Sequence, residues 1–178
     1  MKGDRSFWQT REVCLDQRLS DFLDQFNPPP GKRLWYGGAS LFGTLRGLAA
    51  EQAAWRAPGH DHSIWQLLLH CAYARYSVRR AFERLQERGL FPRKGGYWAN
   101  LPDLVNERSW KEDIDLLKNE HQLLVESVTA FDPVRLDEQA TPAMRYIDLL
   151  WGVVMHDMYH VGEMQVLKRL YKLQREPA

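Results

Sequence analysis

Two histidines near the C-terminus, His156 and His160, stand four residues apart in the run His-Asp-Met-Tyr-His. On a helix that spacing puts both imidazoles on one face, where they can clasp a single ion. They continue a row formed by Leu149, Val153 and Leu167, so both occupy places where a core-facing seam would carry apolar side chains. Buried imidazoles need partners. A divalent metal is one such partner and hydrogen-bonded neighbours in the core are the other; the pair alone weighs equally for both. A third histidine, His70, lies on a separate helical pattern running through Ile64, Leu67, Cys71, Ala74, Val78, Phe82 and Leu85. At 100° per residue it sits about 60° from the centre of that face, on the flank where a ligand lining the core would be.

Three histidines are the number expected of a catalytic metal site, which keeps a position open, whereas a structural zinc takes four protein ligands and leans on cysteine. Cys14 and Cys71 are the only two cysteines and lack CxxC spacing, so they form neither a zinc ribbon nor a disulfide framework. A zincin would need His-Glu-x-x-His, but Asp157 follows His156 and no downstream third-ligand pattern appears. Di-iron carboxylate sites need repeated Glu-x-x-His, which the core rows lack. The nucleophile elbow, the P-loop and GxGxxG are absent as well.

The elements that must position these histidines follow from pattern and punctuation. The chain has 178 residues, 44% of them hydrophobic, which suits one domain with a real core. Residues 6–26 carry Phe7, Val13, Leu15, Leu19, Phe22, Leu23 and Phe26 at helical spacing, and Asn27-Pro-Pro-Pro-Gly31 must end that helix. Ser40 caps a short helix striped by Leu41, Leu45 and Leu48. Ser63-x-x-Gln66 is a capping box for the helix bearing His70, and Gly89 closes it. Residues 90–108, with two prolines and two glycines, form a long connection, which implies that the helices on either side run parallel. Ser109-x-x-Glu112 is read as a second capping box, opening a stripe through Trp110, Ile114, Leu117, His121, Leu124, Val128 and Phe131. Asp132-Pro133 stops it. Thr141-Pro142 is read as the start of the last helix, apolar almost all round and therefore expected to be the most buried. No strand pattern competes, so the expected class is all-α: a four-helix bundle over residues 35–178, preceded by an N-terminal helix and proline-rich turn over 1–34.

Net charge is +1, with 24 basic and 23 acidic residues, so no global field attracts nucleic acid or an anionic membrane. The expected partner is a small molecule or another protein chain. No apolar run reaches about 18 residues and the first residues have no apolar leader, which points to a cytoplasmic protein.

The pieces Trp35-x-Gly37, Ser40-Leu41, Leu45-x-Gly47-Leu48 and Glu51-Gln-Ala53, then His62-Ser-Ile-Trp65-x-Leu67-x-x-His70, then His156-x-x-x-His160-x-Gly162, in that order, resemble the DinB-like (DinB/YfiT) superfamily of metalloenzymes. The resemblance runs from about Trp35 to the C-terminus. It implies an up-down-down-up bundle and a divalent metal held by His70, His156 and His160; zinc or nickel is expected foremost, with iron or manganese next. It also implies a homodimer and, from the members with assigned activities, S-transferases or isomerases that use a low-molecular-weight thiol. Where the superfamily commonly has Gln after His-x-Gly, this chain has Glu163, which stands as acceptor to a ligand, fourth ligand, general base or solvated side chain.

The expectation is therefore a metal-dependent transferase or hydrolase acting on a small electrophile with water or a thiol, set against a metal-binding or interaction module without turnover. His121 is expected to be a satisfied core histidine, and His60 and His62 structural. Tyr73, Tyr159, Trp98 and Trp151 are candidate pocket walls, though aromatics at this spacing are commonly plain core. Arg79, Arg80, Arg84, Arg88, Arg93 and Lys94 read as a solvated face complementing a helix C-terminus.

Overall fold

The structure, a computed structural model, describes residues 17–28, 39–83 and 90–175. Its regular elements are helical: α1 over 17–26, α2 Leu41–Leu45, α3 Ala50–Ala54, α4 Ile64–Glu83, α5 Glu107–Thr129 and α6 Tyr146–Arg175, with 3-10 turns at Gly96–Trp98 and Pro133–Asp137. Among the described residues the only extended pairing is an isolated bridge between Gln139 and Arg145, so the all-α expectation holds. Phe7, Val13 and Leu15, the prolines after Pro28, Trp35 to Gly38, Leu85, the Gly89 stop, Arg84 and Arg88 lie outside the described residues.

The start of α4 forms as its sequence dictates. Gln66 Oε1 accepts from the Ser63 amide at 3.1 Å while Ser63 Oγ accepts from the Gln66 amide at 3.3 Å, the reciprocal exchange that defines a capping box. Ser40 likewise accepts from the Gly43 amide and starts α2. The other two starts need correction. Helix α5 begins at Glu107, because Asn106 accepts from the Ser109 amide and caps the helix three residues earlier than Ser109 would. Helix α6 begins at Tyr146, because Thr141 spends its hydroxyl on a local turn to the Met144 amide; Asp148 then takes the Arg145 amide. Side-chain oxygens compete for nearby amides, and the turn wins when the chain must first pair Gln139 with Arg145.

Two apolar clusters fill the interior. One gathers Trp65, Leu67, Leu68, Trp110, Leu117 and Met164; the other gathers Phe22, Phe82, Leu124, Phe131 and Leu150, with Leu19 and Phe26 of α1 in the same cluster. Between α4 and α5, Trp65 meets Trp110 and Asp113, Arg79 meets Glu120 and Glu83 meets Ser127, with Phe82 meeting Phe131 just beyond the end of α5, so the partners climb both helices in the same order. Between α4 and α6 the order reverses: His70 meets His160, Arg75 meets Asp157 and Phe82 meets Tyr146.

Helix α6 is not the most buried. Trp151, Met155, Tyr159, Val166, Leu170 and Leu173 form an exposed apolar stripe along its outer side. Its apolar character all round is real, but the described elements that α6 packs against, α4, α2, α1 and the Pro133–Asp137 turn, leave that stripe exposed. No described helix is long and apolar enough to cross a membrane.

Candidate metal centre

His70 on α4 and His156 and His160 on α6 come together with their ligand atoms within 4.8 Å of one another, a group that could hold a metal ion. His70 and His160 are buried and His156 is partly so. Each position follows from helix geometry: the 156/160 step aligns two rings on α6, and the reversed order of α4 against α6 brings His70 opposite them.

The hydrogen bonds fix which nitrogen His70 and His160 present. His70 Nδ1 donates to the Tyr97 carbonyl at 2.9 Å, which leaves Nε2 as the lone-pair nitrogen of a neutral ring. His160 Nδ1 lies 2.5 Å from Glu163 Oε2, so the carboxylate accepts its proton and Nε2 is again the bare atom. His156 Nε2 sits 2.8 Å from His70 Nε2, while its own Nδ1 is buried without a partner. Burial pulls His70 and His156 down to about 4, so both are neutral at physiological pH. Three imidazoles that converge, with the His156 Nε2 proton giving way to the ion, are a donor set a borderline divalent cation takes. An outer carboxylate or carbonyl on the far nitrogen is what orients such ligands.

Glu163 therefore serves as acceptor to His160. Among the roles left open for it, that bond is the one the geometry provides. Sequence reasoning passed over Tyr97, whose carbonyl does the same for His70. It reaches there on the turn Gly96–Trp98, a part of the long connection that shows no period. Gly95, at φ +103°, makes that turn; a Cβ there would lie 2.8 Å from the Trp98 carbonyl oxygen. Arg93 ties the connection down by donating to Asp113 at 2.6 Å, and Asp113 also accepts from Trp65 Nε1 at 2.7 Å. Arg93 is thus an anchor, and Arg79 binds Glu83 and Glu120 instead of standing free in solvent.

Trp98 is a wall of the site, stacked on His70 at 3.9 Å, and His62 stacks on its other face at 3.7 Å. Tyr159 stands edge-on to His160 at the exposed rim. Tyr73 packs with Tyr76, Phe91 and Tyr97 one layer out, and Trp151 lies against Phe22, away from the histidines. His60 contributes its backbone amide to a turn with Ala57.

A second group, Cys71, His156 and Asp157, also has ligand atoms within 4.8 Å. Its chemistry is already spent: Asp157 accepts from Arg75 at 2.5 and 2.9 Å, and burial pushes the Cys71 thiol well above its usual range. Cys71 is inert core, as its place in the apolar run suggested. The Arg75–Asp157 pair itself was missed, although both residues fall on buried rows, Arg75 four after Cys71 and Asp157 four after Val153.

Residues 37–164 match the sequence pattern described as the DinB superfamily. The chain belongs to the DinB superfamily. No curated protein and no solved structure matches it. The matched range holds every histidine of the cluster, Glu163, and the connection that carries Tyr97 and Trp98. For this DinB superfamily member, helix α1 lies before the matched range and yet packs into the second apolar cluster.

Proposed function

We propose that this DinB superfamily protein is a metal-dependent enzyme in which His70, His156 and His160 hold a divalent ion, zinc or nickel foremost, and leave a position open for water or a small thiol. The observation that supports this most directly is that the far nitrogens of His70 and His160 are occupied by Tyr97 and Glu163, so that bare Nε2 atoms face inward. A divalent ion so placed lowers the pKa of a coordinated water or thiol and polarises an electrophile. The protein's own residues do the rest. Tyr97 and Glu163 hold ligand orientation, Trp98 excludes water from one side of His70, and the exposed Tyr159 stands edge-on to His160. Because Glu163 is engaged by His160, it is not free to close the fourth position, which favours an enzyme over a module that merely stores an ion. Thiol transfer or hydrolysis on a small electrophile is the reaction we assign, with the thiol drawn from the superfamily resemblance. The order of contacts, parallel between α4 and α5 and antiparallel between α4 and α6, is what supports an up-down-down-up frame for these three helices.

Metal content of tag-free protein by mass spectrometry tests the proposal, alongside melts with and without chelator. Near-stoichiometric metal in the wild type, lost in His156→Ala and retained in Glu163→Gln, is the expected result. A wild type that takes up no added metal and melts identically in chelator overturns it.

A further inference from the structure

The Trp98 wall of the metal centre has a second face, and His62 covers it. His62 directly precedes Ser63, whose capping box opens α4, and His70 lies on the second turn of that helix. Between the two imidazoles lies the Trp98 indole, 3.7 Å from the His62 centroid and 3.9 Å from that of His70, with tilts of 11° and 8°. The three near-parallel rings form one continuous stack with the indole in the middle. Flat contact of this kind is attractive on both faces and resists displacement of the middle ring. His62 is half-buried and its Nδ1 has no partner, so no hydrogen bond through that nitrogen explains where the ring lies. Nor does the ring join the group of His70, His156 and His160, because the indole stands between. Trp98 is the partner its ring has among the described residues.

Holding the indole also holds a backbone carbonyl. The Tyr97 C=O belongs to the planar peptide that joins Tyr97 to Trp98, so the Trp98 Cα and the oxygen that accepts from His70 Nδ1 lie in one rigid plane. The other contacts of this turn act elsewhere. The Asn100 amide donates to the Lys94 carbonyl at 3.0 Å and closes the loop on itself, and Arg93 anchors its entry to Asp113. The Tyr97 ring is 53% exposed and meets His70 only by its edge. Trp98 also packs against the first apolar cluster, but the two faces of its ring belong to His62 and His70. We propose that His62 is a positioning residue of the metal centre, acting through Trp98 to hold the Tyr97 carbonyl on His70 Nδ1 and so to keep His70 Nε2 turned toward His156 and His160. This rests on the reading of the three histidines as metal ligands, while the hold of His62 on His70 is measurable without an ion.

Two variants of the full chain test it. His62→Ala removes the outer ring of the stack; His62→Phe keeps a flat ring and deletes both nitrogens. In chelator-treated protein, the NMR resonance of His70 Nδ1–H is expected to be sheltered from solvent exchange in the wild type and in His62→Phe, and to be lost in His62→Ala. Zinc affinity, read by competition with a chromophoric chelator, is expected to fall about tenfold in His62→Ala and to stay close to the wild-type value in His62→Phe. Should His62→Ala not fold, His62→Leu takes its place, with the same losses expected because it has no flat face. A residue that merely steadied the chain before α4 would lower the melting temperature in chelator and leave both the Nδ1–H signal and zinc affinity intact; that result overturns the proposal. Equal losses in His62→Ala and His62→Phe overturn it too, since they assign the role to an imidazole nitrogen. If the wild type takes up no zinc, the metal reading fails by itself, and the Nδ1–H comparison alone decides whether His62 holds His70.

Discussion

Two polar layers sit side by side in the core of this protein, and they resolve the same difficulty in opposite ways. In the His70–His156–His160 layer the outer nitrogens of two rings are satisfied and the inner ones converge into a group that could hold a cation. In the Arg75–Asp157–His121 layer the two full charges cancel each other, and what remains unmet is the guanidinium Nε–H and one imidazole nitrogen. The comparison teaches that burial by itself does not define chemistry. What matters is which lone pairs and protons the neighbouring groups leave unpaired.

The largest break in this contrast comes from Arg75→Met. It strands Asp157 as a buried lone carboxylate and should cost about 3–5 kcal/mol in denaturant unfolding. The double variant Arg75→Met/Asp157→Leu should recover most of that loss, whereas equal instability of single and double variants would show that the pair is not what holds the layer. Glu163→Ala acts on the other layer. Metal affinity should fall about 10- to 100-fold by competition with a chromophoric chelator, with stability in chelator nearly unchanged. Gly95→Ala sharpens the distinction further, since it forces a side chain into a left-handed turn against the Trp98 carbonyl. We expect roughly 1–3 kcal/mol of lost stability, together with weaker metal binding as the Tyr97 carbonyl moves off His70.

The smallest effect is the pH dependence of His121. An unfolded imidazole takes up a proton below about pH 6.5, while the folded one refuses it until about pH 3. The unfolded chain therefore binds more protons in that window, and stability rises with pH. As pH falls below 6.5, His121 should drain stability by at most about 1.4 kcal/mol per pH unit. Measured in chelator between pH 6.5 and 5, His121→Phe should show a shallower slope than the wild type; parallel slopes would mean that His121 protonates in the folded state.

How much of this was legible beforehand depended on how local each feature is. The Ser63–Gln66 box and the Ser40 cap were readable because donor and acceptor lie three residues apart and nothing nearby competes. Ser109 misled because Asn106 was better placed for the same duty, and Thr141 because its hydroxyl is spent on a turn to the Met144 amide. The histidine rows on α4 and α6 were legible from helical period, and Glu163 was visible as an oddity three residues past His160. Tyr97 was not, since a carbonyl carries no residue signature and its place is set by a turn without period.

The sequence by itself determined the all-helical class, the rows on which His70, His156 and His160 lie, and the superfamily motif that joins them, because period and spacing are properties of a single helix. Only the tertiary structure decided that Tyr97 and Glu163 turn the rings inward, that Arg75 and Asp157 cancel, and that an apolar stripe of α6 is exposed among the described residues. Those outcomes depend on which faces of separate helices meet. Contacts between residues some 80 positions apart, such as Arg75 with Asp157, are set by packing the whole chain at once, and no local pattern encodes them.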